Sequence, residues 1–430
     1  MDRRGLLRSG LLLPIAATAA NAWAVDTGVD AALPPAGADP ERLAADEAYW
    51  ARVAALYDIT DEVALLENGY FGAMARPVLE ACQQHLARVN RGNAWYARRG
   101  FPAEMAGVRA RTAEVLGVEA DEIVLTRGAT EALQALIGGY HRLRPGDAVL
   151  YADTDYDSMI TATQWLGGRR GVEVIGIALP EPATHQGLID AYAAALDRHP
   201  ALRMMLLTQV SHRNGVVMPV TEIVGMARAR GVDVILDAAH GIGQLDTRLS
   251  DLDVDFAGIN LHKWIGAPVG VGALYIRRGR VADIDPYMGE RGAADDIRTR
   301  IHTGTANFAA YLSMSEALDL HLRIGVAAKQ ARLRLLRNRW MDGVRGLDGI
   351  ELISPADPRL SSAIASFRLR GQVSTEANVA TARRLAQEFG VFTVHRDGLA
   401  SGACVRVTPA VFTPLAHVDR LVQALHTIAG

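Results

Sequence analysis

The sequence predicts an α/β protein, with a large domain built on a mostly parallel sheet and a smaller α/β domain at the carboxyl end. Strand-like apolar runs alternate with helical stretches from residue 117 to residue 272, a pattern typical of a parallel sheet covered on both faces. Half of the 430 residues are hydrophobic, which supplies ample material for a core. The chain is longer than one typical core, so we expect two packed units.

The large domain is expected to span residues 76–306 and to contain a seven-stranded sheet. Its strand candidates are short runs rich in Val, Ile and Leu, at residues 122–126, 148–152, 172–178, 204–210, 232–237, 256–259 and 272–276. Helical stretches lie between them, at residues 131–143, 157–166, 188–197 and 220–228. Loops at the carboxyl ends of parallel strands form the ligand sites of such sheets, so we expect the functional residues there.

Residues 307–430 are predicted to form a bridging helix and the small C-terminal domain. Apolar side chains recur at helical spacing between residues 307 and 344, for example at Leu333, Leu336 and Trp340. Further strands are predicted at residues 363–369, 392–395 and 404–408, and helices at 375–389 and 415–428. The segment at residues 46–75 is predicted to complete this domain.

The amino terminus predicts a cleaved export signal at residues 1–24. A charged head with Arg3 and Arg4 precedes an apolar stretch that is shorter than the roughly 20 residues needed to span a bilayer. Ala22 and Ala24 supply the small residues that a signal peptidase recognises. The paired arginines resemble a twin-arginine signal, which predicts the twin-arginine export machinery as a partner and a periplasmic location. An ordinary secretory signal or a disordered leader remains the alternative, and residues 25–45 are interpreted as a linker.

Composition excludes several other classes of protein. The formal charge is −3 and the arginines are scattered, so no nucleic-acid partner is expected. The two cysteines, Cys82 and Cys404, are too few for a disulfide framework in a chain of this length, and both are interpreted as small buried hydrophobes. Neither a metal site nor a stable membrane span is predicted. The fingerprints of a nucleotide P-loop and of a dinucleotide-binding loop are both missing from the sequence.

Lys263 is the strongest chemical signal, because only two of the 45 basic residues are lysines. A desolvated lysine can lose its proton and attack a carbonyl, which arginine cannot do. Upstream, an apolar run ends in Asp237. This pair predicts a pyridoxal 5'-phosphate site, in which the lysine holds the cofactor as a Schiff base and the aspartate keeps the ring nitrogen protonated. The second lysine, Lys329, is expected to be an ordinary exposed helix residue.

The motifs Asp237-x-x-His240 and Asn260-x-His262-Lys263 resemble the class V aminotransferases. This group of fold-type I pyridoxal phosphate enzymes includes cysteine desulfurases, kynureninase and isopenicillin N epimerase. The resemblance covers residues 60–430 and implies the fold-type I transferase fold. Two further motifs, Phe71-Gly72 and Gly304-Thr305-x-Asn307, favour the epimerase-like branch.

The resemblance also implies a phosphate site. Gly128, Ala129 and Thr130 follow a strand and open a helix, where unobstructed N–H groups and the helix dipole favour an anion. On this short motif alone, a plain helix start capped by Thr130 is the better interpretation. By resemblance, Asn260 and His262 also reach the phosphate. Thr305 matches a turn that crosses the subunit boundary, which implies a homodimer with shared active sites.

Three residues match positions around the cofactor ring. Tyr156 matches the aromatic residue that stacks on the ring, although a tyrosine at a domain seam is the alternative. His240 matches the residue near the cofactor's 3-oxygen, with a core histidine bonded to backbone as the alternative. The family often has asparagine where His212 stands, so His212 is either a partner of the same oxygen or an acid–base group. We assign catalytic roles to Lys263, Asp237 and His240.

Arg406 matches the arginine that takes the substrate carboxylate, because a planar guanidinium fits a carboxylate with two hydrogen bonds. Asn68 and Tyr70 are expected to line the entrance. Together these residues predict an exported enzyme acting at Cα of an amino acid or an amino-acid-bearing metabolite, by epimerase-like, transaminase or lyase chemistry. Desulfuration is disfavoured, because Cys404 lies two residues before Arg406 and not on a mobile loop.

Two alternatives to this function remain open. The combination of export and class V motifs also resembles the periplasmic enzymes that tailor pyoverdine siderophores at a glutamyl group. The alternative of another class is a pyridoxal phosphate-binding protein without turnover, such as a carrier or a sensor. Retention of Arg406 favours an enzyme over such a protein.

Overall fold

A computed structural model of the protein describes residues 38–430. The predicted signal at residues 1–24, and the predicted linker up to residue 37, lie outside the described residues. From residue 40 the linker prediction is wrong, because Pro40–Ala44 is a helix whose Leu43 is buried. Asp39 caps this helix by accepting the N–H of Arg42 at 2.8 Å. None of the helices between residues 38 and 430 has the length and apolarity that a membrane-spanning helix requires.

The large domain contains the seven-stranded, mostly parallel sheet that the sequence predicts. In spatial order the strands are Ile123–Thr126, Gly272–Ile276, Phe256–Asn260, Asp233–Asp237, Leu202–Thr208, Ala148–Ala152 and Glu173–Ile177. Gly272–Ile276 runs antiparallel to both of its neighbours, and the other strand pairs are parallel. All seven predicted strands are confirmed, with shifts of one or two residues at several ends.

Helices cover both faces of this sheet. The helices that follow the sheet strands are Ala129–Gly139, Asp157–Arg170, His185–Arg198 and Val220–Ala229. Successive strand residues point to opposite faces, so Leu206 and Ile235 belong to one apolar cluster whereas Leu207 and Leu236 belong to the other. Burial on both faces explains why these strands are continuous apolar runs in the sequence.

The segment before the sheet contributes to both domains. Its main helices are Glu47–Ala54, Arg76–Arg99, which is kinked at Asn93, and Phe101–Leu116. Tyr49 and Trp50 are buried in the larger core. Residues Ala64–Leu65 form a short strand that pairs in parallel with Val391–Phe392 of the carboxyl-terminal region. The chain therefore returns from the small domain to the large one before the first sheet strand.

The bridging region forms three helices instead of the single run predicted for residues 307–344. These are Phe308–Leu312, Met314–Ile324 and Val326–Val344. Gly325 separates the last two with a φ of +92°, a conformation that residues with a side chain rarely adopt. The expectation that Lys329 is exposed is wrong, because packing of the third helix leaves this residue only 3% exposed.

The small domain is a four-stranded antiparallel sheet in the order Val394–Arg396, Cys404–Val407, Ala365–Leu369 and Ile350–Leu352. Helices Thr375–Phe389 and Leu415–Ala429 pack on it. The edge strand Ile350–Leu352 was not predicted from the sequence. Short 3₁₀ helices complete the described chain at Ala120–Glu122, Leu249–Leu252, Val281–Asp283, Tyr287–Gly289, Ile297–Arg300 and Pro358–Leu360.

Candidate active site

The carboxyl ends of the large-sheet strands open into a cavity of about 780 Å³ that the small domain closes from one side. Strand Asp233–Asp237 contributes Asp237, and the loop after Phe256–Asn260 contributes Lys263. The small domain contributes Arg406. The predicted residues that line the cavity are Tyr70, Gly128, Ala129, Thr130, Tyr156, His212, Asp237, His240, Asn260, His262, Lys263 and Arg406.

Lys263 lies with its Nζ 2.8 Å from Nε2 of His240. The indole N–H of Trp264 donates to Nδ1 of the same ring at 3.3 Å. Because an indole N–H can only donate, Nδ1 is the acceptor and Nε2 carries the proton of the neutral imidazole. Burial also holds the pKa of His240 well below its ordinary value. His240 therefore donates to a neutral amine on Lys263.

The pKa of Lys263 is consistent with a neutral amine. The pKa is lowered from 10.5 to about 7, first by burial and then by the positive charge of Arg406, whereas the charges of Asp237 and Glu67 act in the opposite direction. A lysine near neutrality can act as a nucleophile and as a proton carrier. Asp237 is 4% exposed and accepts the N–H of Ala239 at 2.9 Å. Burial raises the pKa of Asp237, so its carboxylate calls for a cationic partner.

The predicted phosphate site lies at the amino terminus of helix Ala129–Gly139. Oδ1 of Asn260 accepts the N–H of Ala129 at 2.7 Å, so Asn260 ties the turn at Gly128 to the end of strand Phe256–Asn260. Nδ1 of His262 donates to the carbonyl of Val271 at 2.9 Å, because a carbonyl oxygen can only accept. The Nε2 atom of His262 is thereby left for the cavity. The N–H of Ala129 therefore already has a partner in Asn260, so the expectation that it is unobstructed is wrong.

Tyr156 and His212 form one wall of the cavity. Their rings meet edge to face with centroids 5.2 Å apart, and Tyr156 remains 40% exposed. His212 is buried and its Nδ1 has no hydrogen-bond partner among the described residues. Burial, followed by the charges of Arg213 and Arg406, holds the pKa of His212 well below its ordinary value. His212 is therefore a neutral ring whose Nδ1 is buried without a hydrogen-bond partner among the described residues.

Arg406 is buried, and two of its nitrogens already have partners. One donates to the carbonyl of His212 at 2.8 Å and another to the carboxylate of Glu67 at 2.6 Å. Gly69 lies against the guanidinium so closely that a Cβ there would be 2.5 Å from a guanidinium nitrogen. No sequence motif marks Glu67 as a functional residue. Its proximity to Arg406 follows from the long-range pairing of the segment before the sheet with the small domain.

Two predicted residues do not line the cavity. Asn68 is buried and is not among the residues that line the cavity. Tyr70, in contrast, is 75% exposed at the rim. Thr305 is exposed and lies outside the cavity of this subunit. Its role toward a partner subunit stays a prediction.

Several other cavity residues were missed by sequence reasoning. They are contributed mainly by segments far from the lysine loop, and include Arg127, Tyr287, His395, Arg396 and Asp397. In the small sheet, Arg396 is opposite Cys404, so Arg396 and Arg406 lie on the same face as diagonal neighbours. Nothing local distinguishes these residues from other polar residues, because their position depends on strand register.

Cys404 is fully buried and does not line the cavity. Its Sγ is 3.7 Å from the carbonyl of Arg213, and burial raises the pKa of the thiol to about 11. A thiol with a raised pKa is a poor nucleophile, because the thiolate is the reactive form. The predicted burial of Cys404 is therefore confirmed, whereas Cys82 is only partly buried.

Comparison with known proteins identifies the family. The profile of the aminotransferase class-V family matches residues 73–403. The chain belongs to this family. Isopenicillin N epimerase of Streptomyces clavuligerus is 26% identical over 383 residues, which are 85% of this chain and 94% of the epimerase. A probable cysteine desulfurase of Vibrio cholerae is 26% identical over 359 residues, covering 80% of this chain and 87% of that protein.

Solved structures confirm the class V fold. Apo cysteine desulfurase from Thermococcus onnurineus NA1 has a TM-score of 0.76 at 19% identity and covers 88% of this chain and 97% of its own. The cystine C–S lyase C-DES, in complex with its reaction product cysteine persulfide, has a TM-score of 0.74 at 22% identity. The match covers 85% of this chain and 97% of the C-DES chain. The predicted family, its epimerase-like branch and the fold-type I architecture are therefore confirmed.

Pyridoxal 5'-phosphate is the cofactor of this class V protein, and the cavity residues fit it. The buried carboxylate of Asp237 suits the ring nitrogen, and the amine of Lys263 suits the aldehyde. The turn at Gly128 suits the phosphate, because a Cβ there would lie 3.0 Å from Oδ1 of Asn260 and 3.3 Å from a carbon of His262. A side chain at residue 128 would fill the space in the turn that the phosphate would occupy.

Proposed function

We propose that this class V enzyme is exported and transfers protons at Cα of an amino acid or an amino-acid-bearing metabolite. One observation carries the chemical part of the proposal: the amine of Lys263, 2.8 Å from His240, lines the same cavity as Asp237 and Arg406. This set contains a proton carrier, an anion for the ring nitrogen and a cation for a carboxylate. The isopenicillin N epimerase relatives favour epimerase-like chemistry within that description.

Each residue has a defined task in this proposal. When bound, pyridoxal phosphate supplies an electron-poor ring into which negative charge at Cα can spread. Lys263 removes or returns the Cα proton, since its pKa of about 7 suits both roles. Asp237 keeps the ring nitrogen protonated, and Arg406 orients the substrate carboxylate. Epimerisation also needs a proton donor on the opposite face, for which Tyr156 at the cavity wall is the candidate.

The deciding experiment is incubation of the holoenzyme with candidate amino acids in deuterated water. Deuterium at Cα with inversion would support epimerisation, keto-acid release would support transamination, and loss of the side-chain substituent would support elimination. Absence of Cα exchange with every candidate, in a protein that binds the cofactor, would favour a non-catalytic pyridoxal phosphate-binding protein instead.

Desulfuration through an enzyme thiol is disfavoured, although cysteine desulfurases are among the relatives. Neither cysteine of the chain lines the cavity, and Cys404 is buried with a raised pKa. Cysteine desulfurase activity that survives Cys404→Ala would show that a thiol-independent route exists. Activity lost in that variant would revive the desulfurase interpretation.

A narrower alternative is an enzyme that tailors a siderophore precursor at a glutamyl group. It is favoured by Arg396, a second arginine on the same face as Arg406, because a glutamyl substrate carries an additional carboxylate. No carboxylate within residues 38–430 forms an ion pair with Arg396. Comparing kcat/KM for glutamate and glutamine, free and amide-linked, would test this alternative.

The exported location and the homodimer are parts of the proposal that rest on the sequence. Paired Arg3 and Arg4 support the twin-arginine route, and Arg3→Lys/Arg4→Lys should retain the protein in the cytoplasm when cells are fractionated. For the dimer, exposed Thr305 near the predicted subunit boundary is the supporting residue. Light scattering on the holoenzyme should give twice the mass of the chain, and a monomeric, active enzyme would contradict shared sites.

A further inference from the structure

The second lysine of the chain is also buried, and it contacts the loop that carries the first. Lys329 lies in helix Val326–Val344 and is 3% exposed. Its Nζ donates to the backbone carbonyl of Trp264 at 2.9 Å and lies 2.9 Å from Nδ1 of His321. His321 is also buried, in the preceding helix. Both lysines of a chain with 45 basic residues therefore belong to one region.

Lys329 is buried without a counter-ion among the described residues. It forms no ion pair with a carboxylate among residues 38–430, and burial lowers its pKa to about 7. Burying an amine without a counter-ion is unfavourable unless its hydrogen bonds are satisfied. Arg332, one helical turn further along, is a useful contrast, because it donates to the carbonyl of Ala44 and pairs with Glu47. The hydrogen bonds to Trp264 and His321 are thus the interactions that offset the cost of burying the Lys329 amine.

Trp264 connects Lys329 to the active site through two different groups. Its carbonyl accepts from Lys329, while its indole N–H donates to Nδ1 of His240 at 3.3 Å. His240 in turn contacts Nζ of Lys263 at 2.8 Å. The hydrogen bond from Lys329 holds the peptide after Trp264 and therefore fixes the position of the indole. The indole selects the His240 tautomer, and that tautomer donates to the Lys263 amine. Each link is a single hydrogen bond between buried or half-buried groups.

We propose that Lys329, together with His321, is a positioning residue that anchors the carbonyl of Trp264, in the Trp264–Ile265 peptide, and so presents the Lys263 amine and His240 to the cofactor. Lys329 itself does not line the cavity, so it acts only through Trp264. The inference requires that Lys263 carries the cofactor but not that any particular reaction follows at Cα. Its failure is therefore distinguishable from failure of the proposed function.

The first test compares Lys329→Met with Arg332→Met. Both variants remove a buried basic side chain and its hydrogen bond to a backbone carbonyl from the same helix, but only Lys329 contacts the loop that carries Lys263. We expect Lys329→Met to slow imine formation between the apoenzyme and pyridoxal phosphate by about 10- to 100-fold, because a misplacement of about 1 Å has costs of this order. Arg332→Met should form the imine at the wild-type rate.

A conservative replacement separates positioning from general stability. His321→Asn keeps Lys329 and its bond to Trp264, so it should form the imine faster than Lys329→Met. Equal rates in wild type and Lys329→Met would overturn the proposal, as would equal losses in Lys329→Met and Arg332→Met. Thermal unfolding of each apoenzyme identifies a variant that has simply lost its fold.

The second test needs no variant, because the chain contains only two lysines. Protein labelled with [ζ-¹⁵N]lysine should give two side-chain nitrogen signals, one of which is replaced when Lys263 reacts with pyridoxal phosphate. The signal of Lys329 should shift at the same time, since its hydrogen-bond acceptor belongs to the residue next to Lys263. An unchanged Lys329 signal on cofactor binding would contradict the proposed connection.

Discussion

The guanidinium of Arg406 donates to the carboxylate of Glu67 at 2.6 Å, although 339 positions separate the two residues. Both side chains are almost completely buried, with 1% and 6% of their surface exposed. Glu67 accepts two further hydrogen bonds, from the N–H of Tyr70 at 2.9 Å and from the hydroxyl of Thr408 at 3.0 Å. The arginine assigned to the substrate carboxylate therefore already has an internal counter-ion.

Glu67→Gln should lower the free energy of unfolding of the apoenzyme by about 3 kcal/mol, because removing one partner of a buried ion pair leaves the other charge uncompensated. Urea unfolding would measure this loss. Asp419→Asn is the control, since it breaks the pair of Asp419 with Arg339, in which both side chains are about 40% exposed, and should cost less than about 1 kcal/mol. Similar losses in both variants would show that burial adds nothing to the Glu67–Arg406 pair.

Lys263→Ala should reduce turnover by at least about 1000-fold, because it removes both the attachment of the cofactor and the proton carrier at Cα. The variant should still bind pyridoxal phosphate through the phosphate turn and Asp237, but without a covalent bond. Borohydride reduction and mass spectrometry of the wild type should place the adduct on Lys263. An adduct on Lys329, the only other lysine, would refute the assignment.

Imine formation should depend on pH with a midpoint near 7. Only the neutral amine attacks the aldehyde, and the pKa of Lys263 is lowered from 10.5 to about 7 by burial. The observed rate for the apoenzyme should therefore rise with pH up to about 7 and level off above it. Stopped-flow absorbance would record this profile, with a lysine peptide as the reference whose rate still rises near pH 10. A protein midpoint close to that of the peptide would contradict burial of the amine.

A variant of Glu67 should change the pH dependence of imine formation. The charge of Glu67 raises the pKa of Lys263, so Glu67→Gln should shift the midpoint to lower pH. A shift to higher pH would mean that the carboxylate does not stabilise the charged amine. This comparison is independent of turnover and needs no knowledge of the substrate.

Gly72→Ala should prevent the segment around Gly72 from packing on the loop that carries Lys263. A Cβ at residue 72 would lie 2.0 Å from the carbonyl oxygen of Lys263, so one of the two loops must move. We expect a loss of stability of about 1–3 kcal/mol together with weaker cofactor binding, measured by equilibrium dialysis. Gly107→Ala is the control, because its Cβ would meet no atom within 4 Å in helix Phe101–Leu116, and alanine should stabilise the helix by about 1 kcal/mol.

Several features of the fold were predictable because they depend on local patterns. The seven strands of the large sheet were found because burial on both faces requires continuous apolar runs. The break at Gly325 and the edge strand Ile350–Leu352 were missed. A single glycine within a helical pattern does not reveal its φ, and a three-residue strand is too short to show alternation.

The sequence by itself determined the chemistry of this protein. A lysine and an aspartate after two neighbouring strands, with the motifs around them, predicted the cofactor and the family, because strand ends in a parallel sheet meet at one edge. Only the tertiary structure decided which charged and basic side chains lie around the cofactor site. The pairing of Glu67 with Arg406 and the burial of Lys329 behind Trp264 depend on contacts between distant segments, and the sequence contains no local pattern that records such contacts.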